Sequence, residues 1–187
     1  MAHKLIEAAE VGAFFDPSDV GSIEYFANLG HVGLTGVYQP ETVDTAIGQL
    51  PTIVLRNGDA IGEQKWTESI GPNLAYNKKD LEAFLGGFGE QALMLGAGWP
   101  DGRDYRLKYL AMQPGTVGLA HTDEDVYEGA VAITSLRGAS SFRIEGYEYP
   151  LVPGNVVYFD NSRRPLHQGI ASSEGERVGL VVGKLKS

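Results

Sequence analysis

Between Tyr105 and position 182 the chain breaks into short runs rich in Val, Ile, Leu, Tyr and Phe, each closed by glycine, proline, asparagine or charged residues. The runs are Tyr105–Met112, 130–136, 141–144, 147–152, 155–159 and 178–182. Segments this short, with β-branched and aromatic side chains, suit strands and are too brief for stable helices. So many short strands laid in one open sheet would leave long unpaired edges. A two-sheet arrangement such as a jelly roll limits them, and that is the architecture expected here.

Upstream the periodicity is helical. Ser18 can cap a helix that carries Val20, Ile23, Phe26 and Ala27 on one face, with Gly30 as its stop. Residues 31–37 suit a strand or turn, and Pro40 opens a second helix with Val43, Ala46, Ile47 and Leu50 in register. A short strand over 52–55 ends at the turn signal Asn57-Gly58. A third helix is expected from Asn77, with Leu81, Phe84, Leu85 and Phe88 on one side, weakened at Gly86-Gly87 by about 1 kcal/mol per glycine.

Helices first and strands after predict an α+β fold rather than alternating βαβ units. The expected organisation is a single domain over 1–187. Residues 1–104 supply mostly helical support and the first strands, and 105–187 form a jelly-roll core. No Pro/Ser-rich linker or internal repeat divides it.

With 24 acidic against 15 basic residues the formal charge is -9, which repels a phosphate backbone, so nucleic acid is not an expected partner. No apolar run approaches the ~18 residues of a membrane span, and the start of the chain has no apolar stretch of signal-peptide length. A soluble, cytoplasmic protein is expected, with its oligomeric state open. There is no cysteine, so any metal must be held by nitrogen and oxygen.

His121-Thr122-Asp123 sets an imidazole and a carboxylate two residues apart, where extended backbone turns both to one side. A second imidazole, His167, follows 44 positions after Asp123, just past the apolar run ending at Phe159. Two histidines and one carboxylate are the facial triad of non-haem iron(II), which leaves other coordination positions open. On its own, His-x-Asp also suits a surface turn with a solvated acid. Arg177, ten residues beyond His167 and at the head of another apolar strand, adds a guanidinium able to hold a carboxylate bidentately.

In that order, His121, Asp123, His167 and Arg177 resemble the motif of the iron(II)- and 2-oxoglutarate-dependent oxygenases. The segment 153–159 ahead of Pro165-Leu166-His167, and Gln113-Pro114-Gly115 before His121, look like the prolyl-hydroxylase-like branch. The resemblance covers roughly 105–183 and implies a double-stranded β-helix, another name for the jelly roll. It implies that His121, Asp123 and His167 bind Fe(II) and that Arg177 pairs with the distal carboxylate of 2-oxoglutarate. Tyr109 or Ser135 would add a hydroxyl donor to that carboxylate.

The implied reaction consumes O2 and 2-oxoglutarate, releases succinate and CO2, and hydroxylates a small-molecule or amino-acid-like substrate. The acid at Asp123 argues against halogenation, since halogenating relatives carry Gly or Ala there. Two other readings stay open: a non-haem iron oxidase that does not use 2-oxoglutarate, and a non-catalytic jelly-roll binding protein.

The remaining polar residues divide between bland and functional roles. Glu124 and Asp125 are solvated loop acids or meet a cationic substrate, and Arg163 and Arg164 form surface salt bridges or line the route to the metal. His31 is expected in a turn or at the surface and His3 at a terminus. Trp66 and Trp99 are expected in core or hinge packing, with a substrate-facing aromatic as the other reading.

Overall fold

The strands expected beyond Tyr105 form, and they close into two facing sheets. The computed structural model describes residues 6–7, 24–36, 56–57, 60–62, 64–70, 105–123 and 127–186. In chain order the elements are β1 (Ile6–Glu7), helix α1 (Glu24–Leu29), β2 (His31–Thr35), β3 (Arg56–Asn57), β4 (Ala60–Ile61), β5 (Gln64–Ile70) and β6 (Tyr105–Met112). There follow β7 (Val117–Gly118), β8 (Tyr127–Arg137), β9 (Ser140–Ile144), β10 (Tyr147–Leu151), β11 (Val156–Asp160), β12 (His167–Ala171) and β13 (Arg177–Leu185).

The larger sheet runs β1-β2-β11-β8-β13-β6-β5-β3 and the smaller β10-β9-β12-β7-β4. Within them, β6 to β13 contribute four strands to each sheet, in the orders β11-β8-β13-β6 and β10-β9-β12-β7. All of the pairings within those two sets are antiparallel. The chain repeatedly crosses from one sheet to the other, which is the winding of a jelly roll.

The period of two in the sequence becomes the core. Val131 and Ile133 of β8, Val157 and Phe159 of β11 and Val181 of β13 face Phe142 and Ile144 of β9 and Tyr149 and Leu151 of β10 in one buried cluster. The alternate residues of the large sheet are buried as well. Leu34, Val156, Thr134 and Leu180 form one cross-strand row, and none is more than 4% exposed. Helix α1 lies against β2 and β11 on this part of the sheet.

Of the helices expected in the first half, one falls on described residues, and it is shorter than its sequence pattern suggests. Among the described residues that half contains one α-helix, α1, of only six residues, together with short strands. Gly30 does stop it: its φ of 78° is left-handed, and its N–H reaches back to the Phe26 carbonyl at 2.7 Å. The helices expected around Val43 to Leu50 and from Asn77, and the strand over 52–55, lie outside the described residues.

His31 departs from its expected surface position. It is 1% exposed on β2, its Nδ1 is 2.8 Å from the Tyr149 hydroxyl, and its ring lies 4.9 Å from that of Tyr147. Strand pairing with β11 carries it inside. Arg163 is likewise structural: it donates to the carbonyls of Ala27 at 2.9 Å and Asn28 at 3.3 Å, capping the C-terminus of α1, and pairs with Asp160 at 3.4 Å.

Candidate metal centre

His121 and His167 are 46 positions apart in sequence and directly opposite one another in the small sheet. His121 N–H donates to the His167 carbonyl and His167 N–H to the His121 carbonyl, both at 2.9 Å. Residues opposed in this way project side chains to one face, and the two rings lie 4.5 Å apart. Asp123, two residues beyond His121, completes the group. Its Oδ1 is 3.7 Å from His121 Nε2 and its Oδ2 3.9 Å from His167 Nε2.

The hydrogen bonds of the two rings decide what they offer. His121 Nδ1 is 2.8 Å from the Leu119 carbonyl and His167 Nδ1 is 2.9 Å from the Pro165 carbonyl. A carbonyl only accepts, so in each neutral ring the proton sits on Nδ1 and the Nε2 lone pair points toward Asp123. Anchoring one ring nitrogen to a carbonyl in order to present the other is how metal-ligating histidines are oriented.

The three ligand atoms lie within 4.8 Å of one another. With metal–ligand bonds of ~2.0–2.2 Å, small side-chain rotations bring all three onto one ion. A donor set of two imidazoles and a carboxylate, without thiolate, suits iron(II) and leaves an open face.

The site is rigid on one side and open on the other. His167 is packed between Phe142 and Phe159, with ring centroids at 5.5 and 4.9 Å. The short segment before it is clamped, since Glu145 Oε1 accepts the Leu166 N–H at 2.6 Å and the Glu145 N–H donates to the Leu166 carbonyl at 3.1 Å. The His121 side chain, in contrast, is 53% exposed and marks the mouth.

Behind the triad is a cavity of about 70 Å³ whose walls include Leu110, Ile133, Phe142, Phe159 and Val181, with Arg177 among the lining residues. Arg177 is 1% exposed, so it carries a fixed positive charge into the interior. The space it occupies is left by glycines. A Cβ on Gly179 would lie 2.6 Å from its Nη2, and one on Gly169 would lie 3.4 Å from its Nη1. A buried cation is costly, and a carboxylate entering the same cavity offsets that cost through a bidentate pair.

Of the six expected site residues, four line this one cavity: His121, Asp123, His167 and Arg177. Ser135 is not among its lining residues. It is fully buried, and its single hydroxyl proton is shared between the carbonyls of Arg137 at 3.0 Å and Gly138 at 2.8 Å, at the turn after β8. Tyr109 stands on β6 opposite Leu180 and Thr67, and its side chain lies outside the described residues. So do Glu124, Asp125, Trp99 and His3, and the side chain of Trp66.

Met112, Tyr127 and one cradle glycine, Gly169, also line the cavity, while Gly179 backs the Arg177 guanidinium; no sequence motif marks any of them. Strand alternation marks some of them. Gly169 is two residues from His167, and Gly179 and Val181 are two and four from Arg177, all on the inward face.

No family model matches the sequence, and no curated protein sequence does. Solved structures match it by fold. An oxidoreductase of the 2OG-Fe(II) oxygenase family from Burkholderia pseudomallei gives a TM-score of 0.57 at 14% identity, covering 100% of this chain and 99% of the other. A prolyl hydroxylase from Trichoplax adhaerens, solved with a hypoxia inducible factor peptide fragment, gives 0.57 at 11% identity over 90% of each chain. The non-heme alpha ketoglutarate dependent epimerase SnoN from nogalamycin biosynthesis gives 0.60 at 13% identity, covering 90% of this chain and 84% of that one. The chain therefore has the jelly-roll fold of prolyl hydroxylases and 2OG-Fe(II) oxygenases. Among the described residues no helix is long and apolar enough to cross a membrane.

Proposed function

We propose that this chain is an iron(II)- and 2-oxoglutarate-dependent dioxygenase that hydroxylates a small molecule or an amino-acid-like group, releasing succinate and CO2. The observation that carries the reading is the presence of the His121–Asp123–His167 triad and the buried Arg177 guanidinium in one cavity. Bound iron would supply the oxygen-activating redox chemistry that no side chain here can perform.

The residues divide the work. His121 and His167 would offer Nε2 and Asp123 a carboxylate oxygen to the ion, and Arg177 would take the distal carboxylate of 2-oxoglutarate. The apolar walls of the same cavity, from Phe142, Phe159, Ile133 and Val181, would exclude water along the length of that molecule. Substrate would approach from the exposed His121 side. Retention of Asp123 favours hydroxylation over halogenation.

We read the chain as one domain in which the earlier residues back the core. The packing of α1 against β2 and β11, and the extension of the large sheet by β5 beside β6, support this. The formal charge of -9 favours a small molecule over nucleic acid as substrate.

Anaerobic addition of iron(II) and 2-oxoglutarate should give a weak visible charge-transfer band, absent in Asp123→Ala and His167→Ala. Arg177→Ala should lose co-substrate affinity and keep the metal. A wild-type protein that binds no iron overturns the reading. One that binds iron but not 2-oxoglutarate would be an oxidase of another kind. Succinate release across a panel of amino acids, peptides and small metabolites then identifies the substrate.

A further inference from the structure

The residue directly across the ladder from Arg177 is Met112 of β6. Opposed residues share a face, and here the Arg177 Nη1 donates to Met112 Sδ at 3.2 Å. Both residues are 1% exposed, and both line the cavity that contains the triad. Gly169 and Gly179 crowd other sides of the same guanidinium, so a contact from Met112 acts on a group already confined to a narrow slot.

We propose that Met112 is a positioning residue that fixes the plane of the Arg177 guanidinium for the distal carboxylate of a keto-dicarboxylate. The inference rests on the 2-oxoglutarate reading above. A guanidinium gives its full bidentate pair only when its plane is aligned with that of the carboxylate. The thioether sulfur is a weak, uncharged acceptor, so it orients one N–H while leaving the positive charge to a ligand. Glutamate at this position would neutralise the arginine. Leucine would fill the space but has no lone pair to offer.

The test is anaerobic calorimetric titration of the Mn(II)-loaded protein with 2-oxoglutarate and, separately, with 2-oxobutyrate, which lacks the distal carboxylate. Met112→Leu conserves volume and is expected to keep the fold. It should weaken 2-oxoglutarate about three- to tenfold, the value of one modest hydrogen bond. Mn(II) and 2-oxobutyrate affinities should stay at wild-type values. Met112→Gln, which restores a neutral acceptor, should recover most of the loss.

Wild-type 2-oxoglutarate affinity in Met112→Leu overturns the proposal, as does equal weakening of both keto acids or a glutamine variant no better than leucine. If the wild-type protein binds 2-oxobutyrate and 2-oxoglutarate equally, or binds neither, the co-substrate reading fails and Met112's role falls with it.

Discussion

Gly179→Ala puts the arginine cradle to a quantitative test. The added Cβ would sit 2.6 Å from Arg177 Nη2, 2.8 Å from Cζ and 3.3 Å from Nε, where ordinary contact begins at 3.4 Å. The guanidinium must therefore retreat by about 0.8 Å. It has little room to do so, because Met112 Sδ lies 3.2 Å from Nη1 and the side chain is 1% exposed.

Overpacking of this kind costs about 1–3 kcal/mol, and at roughly 2–4 °C per kcal/mol for a chain of this size the midpoint of thermal unfolding should fall by several degrees. A shift near 1 Å also spoils one arm of a bidentate carboxylate pair. A hydrogen bond to a charged group is worth about 1.5–3 kcal/mol, so 2-oxoglutarate should bind roughly ten- to a hundredfold more weakly. Metal affinity should not change, because the triad is carried by other segments. Calorimetric titration of the anaerobic Mn(II) protein and a thermal melt measure both effects. Wild-type 2-oxoglutarate affinity in Gly179→Ala, at any stability, would refute the assignment of Arg177 as the anchor.

Three further variants separate structural from functional roles. Ser135→Ala removes a hydroxyl bonded to the carbonyls of Arg137 and Gly138 and should cost about 1 kcal/mol in chemical denaturation while leaving 2-oxoglutarate affinity unchanged; weakened binding would return Ser135 to the co-substrate site. Arg163→Ala strips the cap from α1 and should lower stability by about 0.5–1.5 kcal/mol without altering turnover, whereas a selective rise in KM would place it on the substrate route. Phe142→Ala opens the core beside His167 and should cost about 3–5 kcal/mol by denaturant titration, with weaker metal binding as the ring of His167 gains freedom; a loss below about 1 kcal/mol would contradict its buried packing.

Much of the core is legible in the sequence. Strand β6 runs over Tyr105–Met112 as the apolar run indicates, and β8 to β11 and β13 lie within a few residues of their sequence counterparts. Alternation of apolar residues reports a strand and its inward face, and both are properties of the local chain. The candidate ligand types at His121, Asp123, His167 and Arg177 are equally plain, since only a few side chains can bind a metal or a carboxylate.

Other features had no local signature. Strand β12, His167-Gln168-Gly169-Ile170-Ala171, is polar and glycine-containing, and it is extended because β9 and β7 pair with it on either side. His31 reads as a turn residue and is buried because β2 pairs with β11. Ser135 has the right chemistry for a carboxylate, and its hydrogen bonds to the turn that follows it are visible only in the fold.

The sequence by itself determined which groups are available and which strands can carry them: two imidazoles, one carboxylate and one guanidinium among alternating apolar runs. Only the tertiary structure decided that His121 and His167 face each other, that their Nδ1 atoms are held by backbone carbonyls, and that Met112 and two glycines enclose Arg177. The physical reason is that periodicity is encoded along the chain, whereas strand partnership is set by hydrogen bonds and packing between segments tens of residues apart.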